Sequence, residues 1–204
     1  SFYASFLKIA KLVEASSNKA LYALLAAKRK YRKLLKLLHK EIPYQVAARW
    51  LATPKNIKIP LKSSSSGLKI GIAAHAYNIY DEYFSLNLLR KLEKMGIWYL
   101  TPDNVPKRYW SLYSAHLPKF LFWTYERELV GSAFYWIERK NVDGIIYVMS
   151  FACGPDSIVQ YVLEDEARKY GLPLLTLVLD EHAGEAGLLT RRHAFIDMLR
   201  RKKR

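Results

Sequence analysis

Four short apolar runs constrain this chain more than any other feature. They lie at residues 68–75, 97–100, 142–149 and 173–179. None approaches the roughly 20 apolar residues of a membrane-spanning helix. Three helix-like stretches separate them and a fourth comes after the last. Residues 81–95 place Leu86, Leu89 and Leu92 on one helical face and stop at Gly96. Residues 109–140 read as largely helical, with Pro118 opening the long second part. Residues 157–170 form the next helix, closed by Gly171, and a last helix runs from Gly184 into the basic tail. Near-continuous apolar strands alternating with helices need cover on both faces, which is the signature of a parallel sheet. Right-handed crossovers make the expected fold α/β, an open doubly wound, Rossmann- or flavodoxin-like sheet of about four strands.

A different texture precedes that pattern. Leu7, Ile9, Ala10, Leu12 and Val13 suit a short helix. Leu21, Leu24, Leu25, Leu34, Leu35, Leu37 and Leu38 recur at helical spacing until Pro43. Pro54 and Pro60 interrupt the next stretch, and Lys62-Ser-Ser-Ser-Ser-Gly67 reads as a linker, expected to be mobile. The expected division is a basic helical segment over 1–62, a linker over 63–67 and an α/β domain over 68–204.

Doubly wound sheets bind ligands beyond the carboxyl ends of their strands. That rule gathers separate segments onto one edge. After the first run come His75, Tyr77, Asn78 and Asp81; after the third, Ser150, Cys153, Gly154 and Asp156; after the fourth, Asp180, Glu181, His182 and Glu185. Cys153 is the sole cysteine of the chain. Pro155 suits a first helical turn, so the thiol is expected beside free backbone N–H groups that favour its thiolate. A thiolate binds metal or attacks; a buried structural cysteine is the alternative. The two histidines next to strand ends do not make zinc spacing, since no CxxC or HxxxH is present. There is no GxSxG elbow, no phosphate loop of the GxxxxGK type and no GxGxxG.

Taken in order, His75-Ala-Tyr-Asn-Ile-Tyr-Asp81, Leu117-Pro-Lys-Phe-Leu-Phe-Trp123, Val142-Asp-Gly-Ile-Ile-Tyr147, Phe151-Ala-Cys-Gly-Pro-Asp-Ser157 and Leu179-Asp-Glu-His-Ala-Gly-Glu-Ala-Gly187 resemble the 2-hydroxyacyl-CoA dehydratase family. They are most similar to its branch associated with the ATP-dependent activator protein. The resemblance implies Rossmann-like domains around a [4Fe-4S]-type cluster, held by cysteines from more than one domain. It also implies that the activator delivers single electrons at low potential, for a reductase or dehydratase-like activity. On this resemblance Cys153 corresponds to the cysteine that the last domain contributes. The family's other cysteines lie upstream, and one thiolate cannot hold a cubane. The expectation is therefore the C-terminal portion of a larger iron–sulfur protein. Its partners would be its own upstream domains and the activator, and the isolated chain would carry no cluster. Two alternatives stay open: a cluster-free binding or interaction module, and a mononuclear metal site using Cys153 with His75 or His182.

Charge narrows the partners. The net charge is +15, but residues 1–62 hold 14 Lys/Arg against Glu14 and Glu41, whereas residues 63–197 hold 14 against 16 Asp/Glu. The basicity belongs to the ends. The cluster Lys28-Arg-Lys-Tyr-Arg-Lys33 reads as a solvated helix face rather than a nucleic-acid surface. A lone cysteine points to a reducing, cytoplasmic setting, and nothing in the chain calls for a membrane. Leu34, Leu35, Leu37 and Leu38 are expected to form an apolar stripe, exposed in the monomer or covered by another copy in a homo-oligomer.

Overall fold

The computed structural model describes residues 2–53, 67–117, 121–180 and 185–203. The sheet is entirely parallel and holds β1 (Lys69–Ala74), β2 (Trp98–Leu100), β3 (Gly144–Ser150) and β4 (Leu174–Leu179), in the order β2-β1-β3-β4. Ile70 lies opposite Gly144, Ala74 opposite Val148, and Ser150 opposite Leu179. The chain leaves β1 toward β2, then returns across it to β3. The switch point therefore lies between β1 and β3, where such sheets open a crevice.

Strand alternation divides the core into two layers. Ile145, Tyr147 and Met149 face α7 (Thr124–Arg139) and α8 (Gly154–Lys169), against Val130, Ala133, Trp136 and Leu163. Ile146 and Val148 face the opposite side with Leu89, Leu92, Phe195, Ile196 and Leu199, from α5 (Leu88–Lys94) and α9 (Glu185–Lys203). Both faces are covered, as the near-continuous apolar strands require.

The helix expected over 81–95 is interrupted. A short α4 (Ala76–Tyr80) comes first, and α5 starts only at Leu88. Between them the Asp81 carboxylate accepts the Phe84 N–H at 2.7 Å, and Leu86 and Asn87 adopt left-handed backbone with φ 49 and 57. A local Asp turn competes with the helix and wins. The stretch 109–140 likewise splits into α6 (Lys107–Ser114) and α7, while Pro118 lies outside the described residues. Of the linker, only Gly67 is among the described residues, so the expected mobility of 62–66 falls outside them.

Ahead of the sheet come α1 (Phe2–Leu12), α2 (Ser17–Leu38) and α3 (Tyr44–Ala52). The stripe expected to be exposed or shared with another copy is satisfied within the chain. Leu38 is buried with Ile42 and Ala47, and Leu34, Leu35 and Leu37 are half-buried against them, with Trp98 of β2. The physical reason is Asn104 in the turn after β2. Its amide donates to the carbonyls of Leu38 at 3.0 Å and Ile42 at 2.8 Å, which pins the end of α2 to the domain. The apolar residues left outside belong to earlier turns: Leu12, Val13, Tyr22 and Leu25 are exposed.

Candidate functional site

Three strand ends deliver the residues at the carboxyl edge. β1 ends at Ala74, and His75 follows as the N-cap of α4. β3 ends at Ser150. A two-residue turn, in which Ala152 takes φ 59, then brings Cys153 to the N-cap of α8, with Pro155 in its first turn. β4 ends at Leu179, with Asp180 directly after it. Glu181 and His182 lie outside the described residues, as does the side chain of Glu185.

The centre is a buried pair. His75 Nε2 sits 3.0 Å from Asp156 Oδ1, with the two side chains 6% and 0% exposed. Asp156 Oδ2 also accepts the Ser150 N–H at 3.4 Å, and the Asp156 carbonyl accepts the Tyr147 hydroxyl at 2.9 Å. The Ser150 hydroxyl donates to Asn78 Oδ1 at 3.0 Å. Asn78 is fully buried, and its amide nitrogen has no partner. Tyr77, largely exposed, stacks on the His75 ring with centroids 5.2 Å apart. A substituent at Gly154 would meet only open space, so the approach to the N-terminus of α8 is clear.

Burial works against charge on His75, but the hydrogen bond and charge of Asp156, with Glu126 and Glu128 beyond, raise its pKa above the usual imidazole value. Burial likewise opposes ionisation of Asp156, yet the His75 hydrogen bond and charge, the Ser150 N–H and the Cys153 thiol together lower its pKa. Both shifts favour the ionised pair, imidazolium and carboxylate. Cys153 departs from expectation. Burial pushes its thiol up, and the Asp156 carboxylate adds to that, outweighing the Asp156 backbone N–H. The helix N-terminus is present, but burial, aided by the acid in its first turn, outweighs its effect on the thiol.

Sequence reasoning missed Glu126, Tyr125 and Tyr147. Glu126, nearly buried on α7, comes within 3.9 Å of His75, and Tyr125 meets the imidazole edge-on at 6.3 Å. Glu126 stands three and four residues before Leu129 and Val130, so it lies on the buried face of its helix. An acid in that phase was the available signal. Beside His75 a small cavity of about 120 Å³ runs past Asp103, Tyr125 and Glu128. Among the described residues no group of three or more His, Cys, Asp or Glu side chains is arranged to hold a metal ion.

Two known families match parts of the chain. Residues 1–105 match the CoA enzyme activase uncharacterised domain, and residues 92–199 match the 2-hydroxyglutaryl-CoA dehydratase D-component. The two matches overlap across α5, β2 and the turn holding Asn104. No curated protein matches the chain. Among the described residues no helix is long and apolar enough to cross a membrane. With its parallel sheet, and with each match covering more than half its length, the chain belongs to the 2-hydroxyacyl-CoA dehydratase-like family.

Proposed function

We propose that Cys153 is one ligand of a [4Fe-4S]-type cluster whose other ligands lie outside this chain. The cluster would serve a reductase or dehydratase-like enzyme that receives single electrons from an ATP-dependent activator protein. The observation that carries this reading is the position of the sole thiol: at the carboxyl edge of the sheet, on a helix N-terminus, against a buried ion pair. Family membership supports it. His75, Tyr77, Asn78, Ser150, Gly154, Asp156 and Asp180 line the same edge, with Glu181, His182 and Glu185 next in sequence.

When bound, such a cluster supplies one-electron reduction chemistry. The chain's own residues prepare the ligand for it. Cys153 must lose its proton to bind metal, and burial together with the Asp156 carboxylate favours the protonated thiol while no cation is bound. His75 neutralises Asp156, so the carboxylate does not confront the site as an isolated buried charge. Tyr77 shields the imidazole from solvent on one face.

The test is iron and acid-labile sulfide analysis of the full-length protein purified without oxygen, with electron paramagnetic resonance of the reduced form. About four irons per cluster are expected, falling sharply in Cys153→Ala. Unchanged iron and spectrum in Cys153→Ala would remove Cys153 from the ligand set. An iron-free, zinc-free wild type would favour the cluster-free binding module.

A further inference from the structure

The segment between α4 and α5 is wound almost as a helix and then broken. Its entry is already a helix start. The Asp81 carboxylate accepts the Phe84 N–H at 2.7 Å and the Asp81 carbonyl accepts the Ser85 N–H at 3.0 Å, as the cap of a helix beginning at Glu82 would. Its exit is a helix stop. The Leu86 N–H donates to the Tyr83 carbonyl at 3.1 Å and the Asn87 N–H to the Glu82 carbonyl at 2.8 Å, the paired closing bonds that form around a left-handed residue. Glycine usually fills that left-handed position, having no Cβ to crowd the chain. Here Leu86 fills it at φ 49, and Asn87 follows at φ 57. The Cβ of leucine is forced against the following carbonyl oxygen, and residues held this way cluster at sites that switch.

The break also leaves α5 without a proper start. Asn87 is its N-cap, yet the Asn87 side chain caps nothing, and its oxygen is buried without a partner among the described residues. Buried acceptors in that state are rare and mark a strained group or an alternative arrangement. An uninterrupted helix over 82–94 would remove each of these faults. Asp81 would be its cap, and no left-handed residue would be needed. Its buried face would be unchanged, because Ser85, Leu88, Leu89 and Leu92, all buried here, already follow helical spacing. Asn87 would turn to the opposite face, in line with the exposed Arg90 and Lys94.

We infer that residues 81–94 are a two-state element hinged at Leu86 and Asn87: the broken form seen here, and a continuous helix in which both residues are right-handed. The far end of the hinge meets the Cys153 edge. α4 runs directly into Asp81. It is tied to β3 by the bond between Asn78 and Ser150, and to the turn after β2 by the Tyr80 hydroxyl, bonded to Thr101 and Asp103. Straightening 81–94 therefore pulls on the segment that holds His75 and Asn78, so the state of the hinge and occupancy of the edge bias each other. Tyr83, on the turn that moves, is almost wholly exposed and loses no packing when it does. The hinge does not depend on what Cys153 binds.

The test is amide relaxation-dispersion and saturation-transfer NMR on the whole chain. Exchange on the microsecond-to-millisecond scale is expected at residues 82–90, with the minor state's carbon shifts at Leu86 and Asn87 moving to right-handed helical values. Leu86→Gly relieves the left-handed conformation and is expected to lower the minor population by at least about threefold. Asn87→Ala favours the helix and is expected to raise it by about the same factor. The Asn78 and Ser150 amides are expected to share the exchange rate. Absence of exchange over 82–90, a minor state without helical shifts, or exchange that Leu86→Gly leaves unchanged would overturn the hinge. Exchange over 82–90 that never appears at Asn78 and Ser150 would overturn its coupling to the edge.

Discussion

Removing His75 strands a charge. In His75→Leu, Asp156 keeps its place at 0% exposure but loses the imidazolium 3.0 Å away. At an effective dielectric constant of about 20, that attraction is about 5–6 kcal/mol gross. Desolvation of both partners offsets part of it, and the Ser150 N–H remains to serve the carboxylate. Breaking a buried pair on one side characteristically costs about 3–5 kcal/mol, and that is the expected loss. With a urea m-value of about 2 kcal/mol per molar, the unfolding midpoint should fall by roughly 1.5–2.5 M. Asp156→Leu should cost a similar amount, because it leaves His75 buried between α4 and Glu126. The double variant His75→Leu/Asp156→Leu is the deciding measurement. It removes both charges, so its loss should be smaller than the sum of the singles by at least about 2 kcal/mol. Additive losses would show that the two side chains contribute by volume alone, and the ionised-pair assignment would fall.

The same pair has a pH signature. Because His75 is raised, its contribution is full below 6.5 and is lost as pH climbs through the higher folded value; because Asp156 is lowered, its contribution is full above 3.8 and is lost as pH falls through the lower folded value. Chemical denaturation across pH should therefore show stability declining as pH rises above 6.5, and His75→Leu should flatten that decline. Gly131→Ala places a Cβ 1.9 Å from the Trp110 carbonyl oxygen, a backbone clash between α6 and α7, and should cost about 3 kcal/mol or more in thermal or urea unfolding. Gly187→Ala, which meets nothing on α9, should stabilise by about 0.5–1 kcal/mol; a loss there would contradict the helix. Asn104→Ala leaves the Leu38 and Ile42 carbonyls without their buried donor and should cost about 1–3 kcal/mol. Amide exchange should then quicken in α2 and α3 more than in β1 and β3, and uniform quickening would show that the N-terminal helices are not held by this residue.

The sheet was legible because its strands are apolar on both faces, as in Ile145 to Met149, a pattern that few other structures tolerate. The strand ends came with it, and so did the placement of His75, Asn78, Ser150, Cys153 and Asp156 on one edge. The hidden features depend on contacts between distant segments. No spacing rule links His75 to Asp156, 81 residues later, so the ion pair could not be read, nor could the burial that raises the Cys153 thiol. The Asp81 turn was hidden for the opposite reason. Leu86, Leu89 and Leu92 do fit a helical face, but the competing hydrogen bond from Phe84 is local and leaves no periodic trace. The leucine stripe of α2 was recognised, yet its occupant was misassigned, because Asn104 gives no sign in the sequence that it reaches back to Leu38.

That backward reach bears on how the protein is made. The helices of residues 2–52 leave the ribosome ahead of the sheet, but the residue that receives them is 62 positions beyond Ile42. At a synthesis rate of about 5–20 residues per second, the nascent N-terminal segment waits roughly 3–12 s for its dock. Throughout that interval Leu34, Leu35, Leu37 and Leu38 have no cover, on a stretch rich in lysine and arginine. Such a segment is a natural client for chaperones that hold emerging chains, and synthesis slowed before Asn104 would lengthen its dependence on them.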